Sequence, residues 1–246
     1  FLAGRLRFCV FREYVGAMPT IKASDLIRHS WLAVGLLLMA CGPSGEATGD
    51  EPQEIDPIFA YRQDIVDVEQ TSVKRQAIGN CWIYATASWS ESLALTADQG
   101  ELNISESYWT YWHWYMQIVG QQPNKISTGG NFGTVSRIIR SYGLMHEGAF
   151  ISEESAEEMS WHQSQAEFLI NQSLSSGELS SQTRRRDRAL VRKELNRAWG
   201  LSPEVAAELD RAFGEDGRSI LSNGADLSGT QVVHPDSVTL QYVDQG

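Results

Sequence analysis

The chain has 246 residues, with 31 acidic and 20 basic side chains and a formal net charge of −11. Nucleic-acid-binding proteins neutralise phosphates with a surplus of lysine and arginine, so this composition argues against a nucleic acid as a partner. The length is sufficient for one domain with a buried core, or for one domain that carries an insertion.

Residues 1–40 have the features of an export leader. Basic residues precede the ten apolar residues Trp31–Ala40. That length suits the hydrophobic region of a signal peptide and falls short of the about 20 residues that cross a bilayer as a helix. Because such a signal begins naturally at Met18, residues 1–17 are expected to lie upstream of the true start. The alternative interpretation is an N-terminal core helix.

The stretch Leu38-Met39-Ala40-Cys41 resembles the lipobox of bacterial lipoproteins, in which the cysteine is lipidated and becomes the new N-terminus. The resemblance implies an exported lipoprotein of the cell envelope, periplasmic or on the cell surface. Acyl chains on Cys41 would anchor it to a membrane, since each buried methylene contributes about 0.8 kcal/mol. Residues 41–60 are then a lipidated flexible tether, because they are mostly small, polar and acidic.

Cys81 has no obvious partner for a disulfide or a metal site. The chain has three cysteines, and the other two, Cys9 and Cys41, lie in the leader region. No metal and no organic cofactor is therefore implied. One interpretation of Cys81 is a reactive thiol, and the alternative is a buried cysteine that packs as a small hydrophobe.

The segment around Cys81 predicts a helix that begins at the cysteine. Gly79 and Asn80 form a turn-favouring pair. The Ala-rich stretch that follows, from Cys81 to about Leu95, contains no glycine or proline. The first N–H groups of a helix stabilise negative charge, and thiols at such positions can titrate at roughly 3.5–7.5 instead of about 8.5. The position therefore favours a nucleophilic thiolate.

Two further helices are predicted after this one. Ser105 is a candidate N-cap for a helix whose large apolar residues recur at helical spacing, which favours a packed core over a platform for bases or sugars. The loop that contains Gly129 and Gly130 permits close approach of another backbone. It leads into a third helix, for which Gly143 is the expected stop. The core residues of the second helix are Tyr108, Tyr111, Trp112, Tyr115, Ile118 and Val119.

Residues 151–217 are charged, poor in strand formers and predicted to be helical. Pro203 stands at a helix start and Gly214 near a helix end. The run Arg184-Arg185-Arg186 is interpreted as a solvated helix face, with a binding patch as the alternative. The region is predicted to be an insertion or subdomain.

Several segments resemble the papain-like cysteine peptidases, and within them the branch of bleomycin hydrolase and aminopeptidase C. Gly79–Ala85 resembles the active-site segment, and Leu102–Tyr108 is similar to the opening of the branch's second helix. Thr128–Asn131 is similar to its glycine pair, and Tyr142–Leu144 to the end of the helix that follows. More weakly, Ser176–Ser180 is similar to its helical insertion. The segments follow in the order that the branch has.

The resemblance implies an α+β papain-like fold, of which this chain holds mainly the helical N-terminal half. Residues 61–150 would form that half, residues 151–217 the helical insertion, and residues 218–246 the truncated start of the rest. The chain is expected to be incomplete.

The resemblance also implies a mechanism that hydrolyses peptide bonds in a peptide or protein substrate. Cys81 would be the nucleophile and form an acyl-enzyme. Gly129 and Gly130 would bind the substrate backbone in extended form. The oxyanion would be stabilised by the Cys81 N–H and a glutamine side chain. The family's glutamine stands six residues before the cysteine, where this chain has Arg75, so Gln76, five residues before, is the candidate.

No histidine fits the family's pattern well. In papain-like enzymes the basic histidine follows the cysteine by roughly 130–150 residues, with an asparagine beyond it. His234 is a candidate base by spacing alone, because its neighbours do not resemble the family's histidine strand and no asparagine follows it. The catalytic histidine and asparagine are expected beyond Gly246.

The sequence thus predicts an exported, lipid-anchored thiol peptidase, with aminopeptidase activity as one form. The first rival is a non-catalytic lipoprotein of the same fold that binds peptides or cell-envelope material. The second is a structural lipoprotein in which Cys81 is inert. Nothing in the sequence indicates an oligomeric state.

Overall fold

A computed structural model describes residues 68, 70–97, 100–121, 123–156 and 160–238. Helices account for 60% of these residues, and strand positions for only 3%. All the described residues belong to one compact unit, residues 67–246. The α-helices in these ranges are α1 (Cys81–Thr96), α2 (Glu106–Gln121), α3 (Phe132–Tyr142), α4 (Trp161–Ser176), α5 (Gln182–Arg186), α6 (Arg188–Trp199) and α7 (Pro203–Phe213). Short 3₁₀ helices cover Ser152–Ala156, Leu221–Asn223 and Pro235–Ser237.

Side-chain caps explain where four of the helices begin. The residue before α3, α5, α6 and α7 accepts a hydrogen bond from a backbone N–H of the first turn, which has no partner within the helix. The Ser105 hydroxyl similarly accepts from the Tyr108 N–H at 3.2 Å, next to the start of α2. The capping residues of the four helices are Asn131, Ser181, Asp187 and Ser202.

Helix α2 forms the centre of the molecule and is buried on every side through most of its length. Helices α1, α3 and α6 pack against it, and α4 packs against α6. The Trp112 ring stacks on Tyr142 of α3 with 3.7 Å between the ring centroids. The Tyr108 hydroxyl donates to the Tyr142 carbonyl at 2.5 Å. The apolar spacing of α2 therefore serves the core, as predicted.

Most of the predicted helix boundaries are confirmed. Helix α1 begins at Cys81, and α3 ends before Gly143, whose φ of 70° suits a residue without a Cβ. Pro203 is the first residue of α7, and Gly214 follows its last. These boundaries are set by local backbone chemistry, which the sequence shows directly.

The predicted α+β papain-like fold is wrong for the residues that the structure describes. They contain no sheet, and the pairs Ile104–His146 and Leu144–Val233 are isolated bridges. The segment expected to begin the strand-bearing part instead forms the 3₁₀ helices 221–223 and 235–237. The β-branched pair Val232-Val233 is too short to build a sheet, and Val233 makes one isolated bridge, to Leu144 just after α3.

The arginine run 184–186 does not form a uniformly solvated face. Arg185 is only 2% exposed and donates to the carbonyls of Leu174, Leu179 and Ser180 at 3.0, 2.6 and 3.0 Å. Its guanidinium therefore satisfies carbonyls around the end of α4, as cations near a helix C-terminus do. Arg184 and Arg186 are exposed.

The predicted leader, the lipidated Cys41 and the tether lie outside the described residues. Within the described ranges, no helix combines the length and the apolar character needed to cross a membrane.

Candidate active site

Cys81 is an exposed free thiol and the first residue of the 16-residue helix α1. The Ile83 N–H is bonded to the Asn80 carbonyl at 2.9 Å. Among the described residues, neither the Cys81 nor the Trp82 backbone N–H has a hydrogen-bond acceptor. Two N–H donors are thus available beside the sulfur, at the positive end of the helix dipole.

Asn80 leaves this helix start without a side-chain cap. It is completely buried, and its Nδ2 donates to Thr110 Oγ1 at 3.0 Å and to Gln163 Oε1 at 2.9 Å. Its Oδ1 is buried and accepts no hydrogen bond in the described part of the chain. The Asn80 amide therefore ties the start of α1 to α2 and α4 and does not cover the first turn.

The loop with the two glycines is held in place by side chains of α1 and α2. The Gln117 amide pairs with the backbone of Ser127, donating to its carbonyl at 2.7 Å and accepting from its N–H at 2.8 Å. The Trp82 indole N–H donates to the Thr128 carbonyl at 2.9 Å. The Ser127 hydroxyl accepts the Gly129 N–H at 3.2 Å. These bonds fix the loop while Gly129 and Gly130 remain exposed.

Packing explains why glycine stands at two positions near Cys81. A Cβ on Gly130 would lie 2.5 Å from Cζ2 of Trp82, and a Cβ on Gly79 would lie 2.8 Å from the Thr128 hydroxyl oxygen. Both separations are shorter than side-chain atoms tolerate. The residue after Cys81 and the turn before it therefore contact the glycine loop directly. The structure brings Cys81, Gly129 and Gly130 into one region.

The loop runs alongside α1 and in the same direction. Gly79 lies next to Thr128, and Trp82 contacts Thr128 and Gly130. Further along, Trp89 contacts Phe132. The rings of Trp89 and Phe132 lie 5.9 Å apart, and each residue is 54% exposed. The exposed backbone of Gly129 and Gly130 therefore lies next to the exposed side of α1.

His113 of α2 lies behind Trp82. The two rings meet edge to face with 4.9 Å between their centroids. Burial lowers the pKa of His113 to about 4, so the imidazole is neutral at physiological pH. The Gln117 amide lies within hydrogen-bond distance of this ring, at 3.0 Å from Nε2. His113 therefore contacts both Trp82 and Gln117, the two side chains that hold the glycine loop.

The segment before α1 is anchored by a cluster of three carboxylates around one amine. Lys74 Nζ lies 3.3 Å from Glu91 Oε1, 3.2 Å from Glu106 Oε1 and 3.4 Å from Glu147 Oε2. Burial raises the pKa of Glu106 to about 8, although Lys74 opposes the shift. Burial alone would lower the pKa of Lys74, but the carboxylates raise it above its ordinary value. The cluster fixes the chain six residues before Asn80.

The candidate oxyanion residues are located on this anchored segment. Arg75 and Gln76 are both exposed. No hydrogen bond among the described residues joins Gln76 to Cys81. The role of Gln76 as an oxyanion donor stays a prediction.

His234 lies at the other end of α3 from the glycine loop. The adjacent residue, Val233, exchanges backbone hydrogen bonds with Leu144, just after α3 ends. An 11-residue helix is about 16 Å long. His234 Nδ1 accepts the Asp236 N–H at 3.1 Å and so caps a 3₁₀ helix. In the described ranges, no histidine is hydrogen bonded to Cys81.

The buried residues that shape this site were missed from the sequence. His113 and Gln117 are one turn apart on α2, a spacing that could have marked them as one face. Gln163 carries no such signal, because it lies 83 residues from Asn80 in the chain. Among the described residues, no group of three or more His, Cys, Asp or Glu side chains is arranged so that it could hold a metal ion.

Comparison with known proteins does not add a family. The chain matches no protein-family model, no curated protein and no solved structure. The function must therefore be argued from the geometry around Cys81.

Proposed function

We propose that this protein is a thiol peptidase in which Cys81 is the nucleophile. The observation that carries the proposal is the exposed Cys81 thiol at an uncapped helix start, beside an anchored loop with exposed backbone. A thiolate, backbone donors for an oxyanion and an extended backbone edge are the parts that cysteine-dependent acyl transfer requires.

The proposed reaction begins when the Cys81 thiolate attacks the scissile carbonyl carbon. The oxygen becomes an oxyanion and accepts hydrogen bonds from the backbone N–H groups of Cys81 and Trp82. The C–N bond then breaks, and the amine leaves with a proton taken from solvent, which received the proton of the Cys81 thiol when the thiolate formed. Water attacks the thioester, releases the carboxylic acid product and restores the thiol. Loss of one oxyanion donor typically costs about 2.7–4 kcal/mol in the transition state.

The substrate is proposed to be a peptide or protein bound in extended form along Gly129 and Gly130. An extended chain can pair its own N–H and C=O groups with an exposed backbone edge, so binding needs few side-chain contacts. Because Gln117, Trp82 and Ser127 already hold the loop, little of its conformational entropy would be lost on binding.

A thiol-directed epoxide tests the proposal. The thiolate sulfur would open the epoxide ring and form a stable thioether. We expect one label per chain at near-neutral pH, mapped to Cys81 by mass spectrometry, with matching loss of peptide hydrolysis. The variants Cys9→Ser and Cys41→Ser should label like the wild type. An unlabelled Cys81, together with full activity of Cys81→Ala, would remove the basis of the proposal.

One observation favours a second candidate, a non-catalytic peptide-binding protein. In the described ranges, Cys81 has no hydrogen-bonded histidine to act as a base. On this alternative, Cys81→Ala would bind fluorescent peptides with unchanged affinity, and neither protein would cleave them. Slow cleavage by the wild type alone would favour the peptidase.

We also propose that the protein is an exported lipoprotein anchored through acyl chains on Cys41. The support is the lipobox-like Leu38-Met39-Ala40-Cys41 directly after an apolar stretch. The mass of the mature protein from the cell envelope should correspond to a lipid-modified Cys41 as its first residue. A different first residue would contradict this proposal without affecting the role of Cys81.

A further inference from the structure

Asn80 Oδ1 and the first turn of α1 both lack the one hydrogen bond that would pair them. Asparagine is among the best N-cap residues, and the corresponding residues before α3, α5, α6 and α7 all cap their helices. The Asn80 side chain does not cap α1, and its buried Oδ1 has no partner in the described part of the chain. Because both features destabilise the fold, the inward orientation of this amide needs an explanation.

Two acceptors hold the Asn80 amide inward. The Thr110 hydroxyl donates its own proton to the Glu106 carbonyl at 2.8 Å, so it can only accept from Asn80 Nδ2. The second acceptor is Oε1 of Gln163, at 2.9 Å. The amide of Asn80 cannot be turned around without placing its oxygen against these two acceptors.

Gln163 is itself held in one orientation. It is completely buried on α4, and its Nε2 donates to the Tyr84 hydroxyl and the Ser107 hydroxyl, each at 3.0 Å. With both amide protons directed to α1 and α2, Oε1 must face Asn80. Gln163 therefore joins three helices and fixes the amide that precedes Cys81.

We propose that Gln163 is a positioning residue that acts on Cys81 through Asn80. By holding the Asn80 amide inward, it keeps Oδ1 from capping the first turn of α1. The N–H groups beside the sulfur then remain free to stabilise the thiolate and the oxyanion. The oxyanion part rests on the proposed peptidase function, whereas the effect on the thiolate does not.

The test measures how fast iodoacetamide alkylates Cys81 at pH 7 and at pH 9. Full-length protein with Cys9→Ser and Cys41→Ser leaves Cys81 as its only thiol. Asn80 has φ −111° and ψ 32°, outside the extended region of the four capping residues. In Gln163→Met the released residue can turn into that region and cap the helix, which takes the Trp82 N–H away from the thiolate. We expect the ratio of the rate at pH 7 to the rate at pH 9 to fall about three- to tenfold, the effect of about one hydrogen bond.

Variants at Asn80 separate this role from a structural one. Asn80→Ala has no side-chain oxygen to cap the helix, so the double variant Asn80→Ala with Gln163→Met should regain the wild-type ratio. Asn80→Ser, a neutral residue that caps well and lacks the amide held by Gln163, should lower the ratio even with Gln163 present. Asn80→Ser therefore decides the question if Gln163→Met does not fold.

One further variant serves as a control. Ser173→Ala removes a buried hydroxyl of α4, bonded to Glu194 at 2.7 Å, without touching α1. It should lower the melting temperature and leave the ratio unchanged.

Three results would overturn the proposal. They are a lower melting temperature of Gln163→Met with an unchanged ratio, a low ratio in the double variant, and a wild-type ratio in Asn80→Ser. Alkylation requires no peptide hydrolysis, so these results are distinct from failure of the proposed function. A protein without peptidase activity would still show the predicted change in ratio.

Discussion

Gly129 and Gly130 are neighbours in the sequence, but only one of them is required by packing. A Cβ on Gly130 would lie 2.5 Å from the Trp82 ring, whereas a Cβ on Gly129 would meet nothing closer than the Ser127 hydroxyl oxygen at 3.6 Å. The second separation is an ordinary van der Waals contact. The pair therefore offers a matched comparison at a single site.

We predict that Gly130→Ala displaces the loop from Trp82 and lowers the free energy of unfolding by about 1–3 kcal/mol, the usual cost of overpacking. Gly129→Ala should change it by no more than about 0.5 kcal/mol. Urea unfolding of both variants measures the difference. Equal effects of the two substitutions would show that the contact between Gly130 and Trp82 does not position the loop.

At the residue scale, the sequence predicted the place of the site better than its contacts. The glycine pair was predicted as a point of close backbone approach, and the structure shows that the close neighbour of Gly130 is the Trp82 ring. The contact of Asn80 with Gln163 could not be predicted, because it depends on how α4 packs. A glutamine in a polar helix has no sequence signal that separates a buried residue from an exposed one.

At the scale of elements, buried charge links the segment before α1 to α1 and α2. Glu106 is 2% exposed and faces Lys74, Glu91 and Glu147. Its pKa is raised from 4.5 to about 8 in the folded protein. The folded state therefore binds a proton more tightly than the unfolded state, and stability falls as the pH rises from about 4.5 to 8.

We predict that Glu106→Gln removes this loss, because glutamine resembles the protonated carboxyl group. Between pH 6.5 and 8 the wild type should lose up to about 1.4 kcal/mol per pH unit relative to the variant. Denaturant unfolding at several pH values measures this difference. Glu153 is a fully exposed carboxylate whose pKa is lowered. The free energy of unfolding of Glu153→Gln should therefore change with pH in parallel with that of the wild type in this range. Parallel curves for Glu106→Gln would contradict the prediction.

Arg192 connects α6 to α2 and α7. It is 1% exposed and donates to the Tyr111 hydroxyl at 2.7 Å, Asp210 Oδ1 at 2.8 Å and the Gly214 carbonyl at 3.2 Å. Its guanidinium also lies 5.1 Å from the centre of the Trp112 ring. The charge is thus compensated by three acceptors and an aromatic face.

We predict that Arg192→Ala lowers the free energy of unfolding by about 3–5 kcal/mol, because it leaves buried acceptors unpaired and opens a cavity. The exposed neighbour gives the control, and Lys193→Ala should cost no more than about 0.5 kcal/mol. Thermal or urea unfolding distinguishes the two. A small effect of Arg192→Ala would show that α6 and α7 are held by apolar packing alone.

At the scale of the whole molecule, local signals predicted the helices but not the architecture. The start of α1, the stop at Gly143 and the start of α7 at Pro203 follow from backbone chemistry within a few residues. The α+β fold was inferred from the resemblance of short segments, and the described residues contain no sheet. Similar helices can pack in different ways, so segments of a few residues did not determine the fold.

The acid-rich composition argues against a nucleic-acid partner, and a peptide ligand remains a proposal. Cys81 and the glycine loop come from parts of the chain about fifty residues apart. Trp82 of α1 and Gln117 of α2 both bond to that loop. The proposed function requires this region to be a reaction site and not only a packed surface.

The most direct test is to detect an acyl group on Cys81. The wild-type protein would be mixed with a set of N-acyl amino acid p-nitrophenyl esters, quenched in acid within milliseconds to seconds, and examined by intact and peptide mass spectrometry. We predict an adduct with the mass of the acyl group, located on Cys81, removed by hydroxylamine and absent from Cys81→Ala. Hydrolysis that proceeds equally in Cys81→Ala, or a folded wild-type protein that never acquires the adduct, would contradict the account.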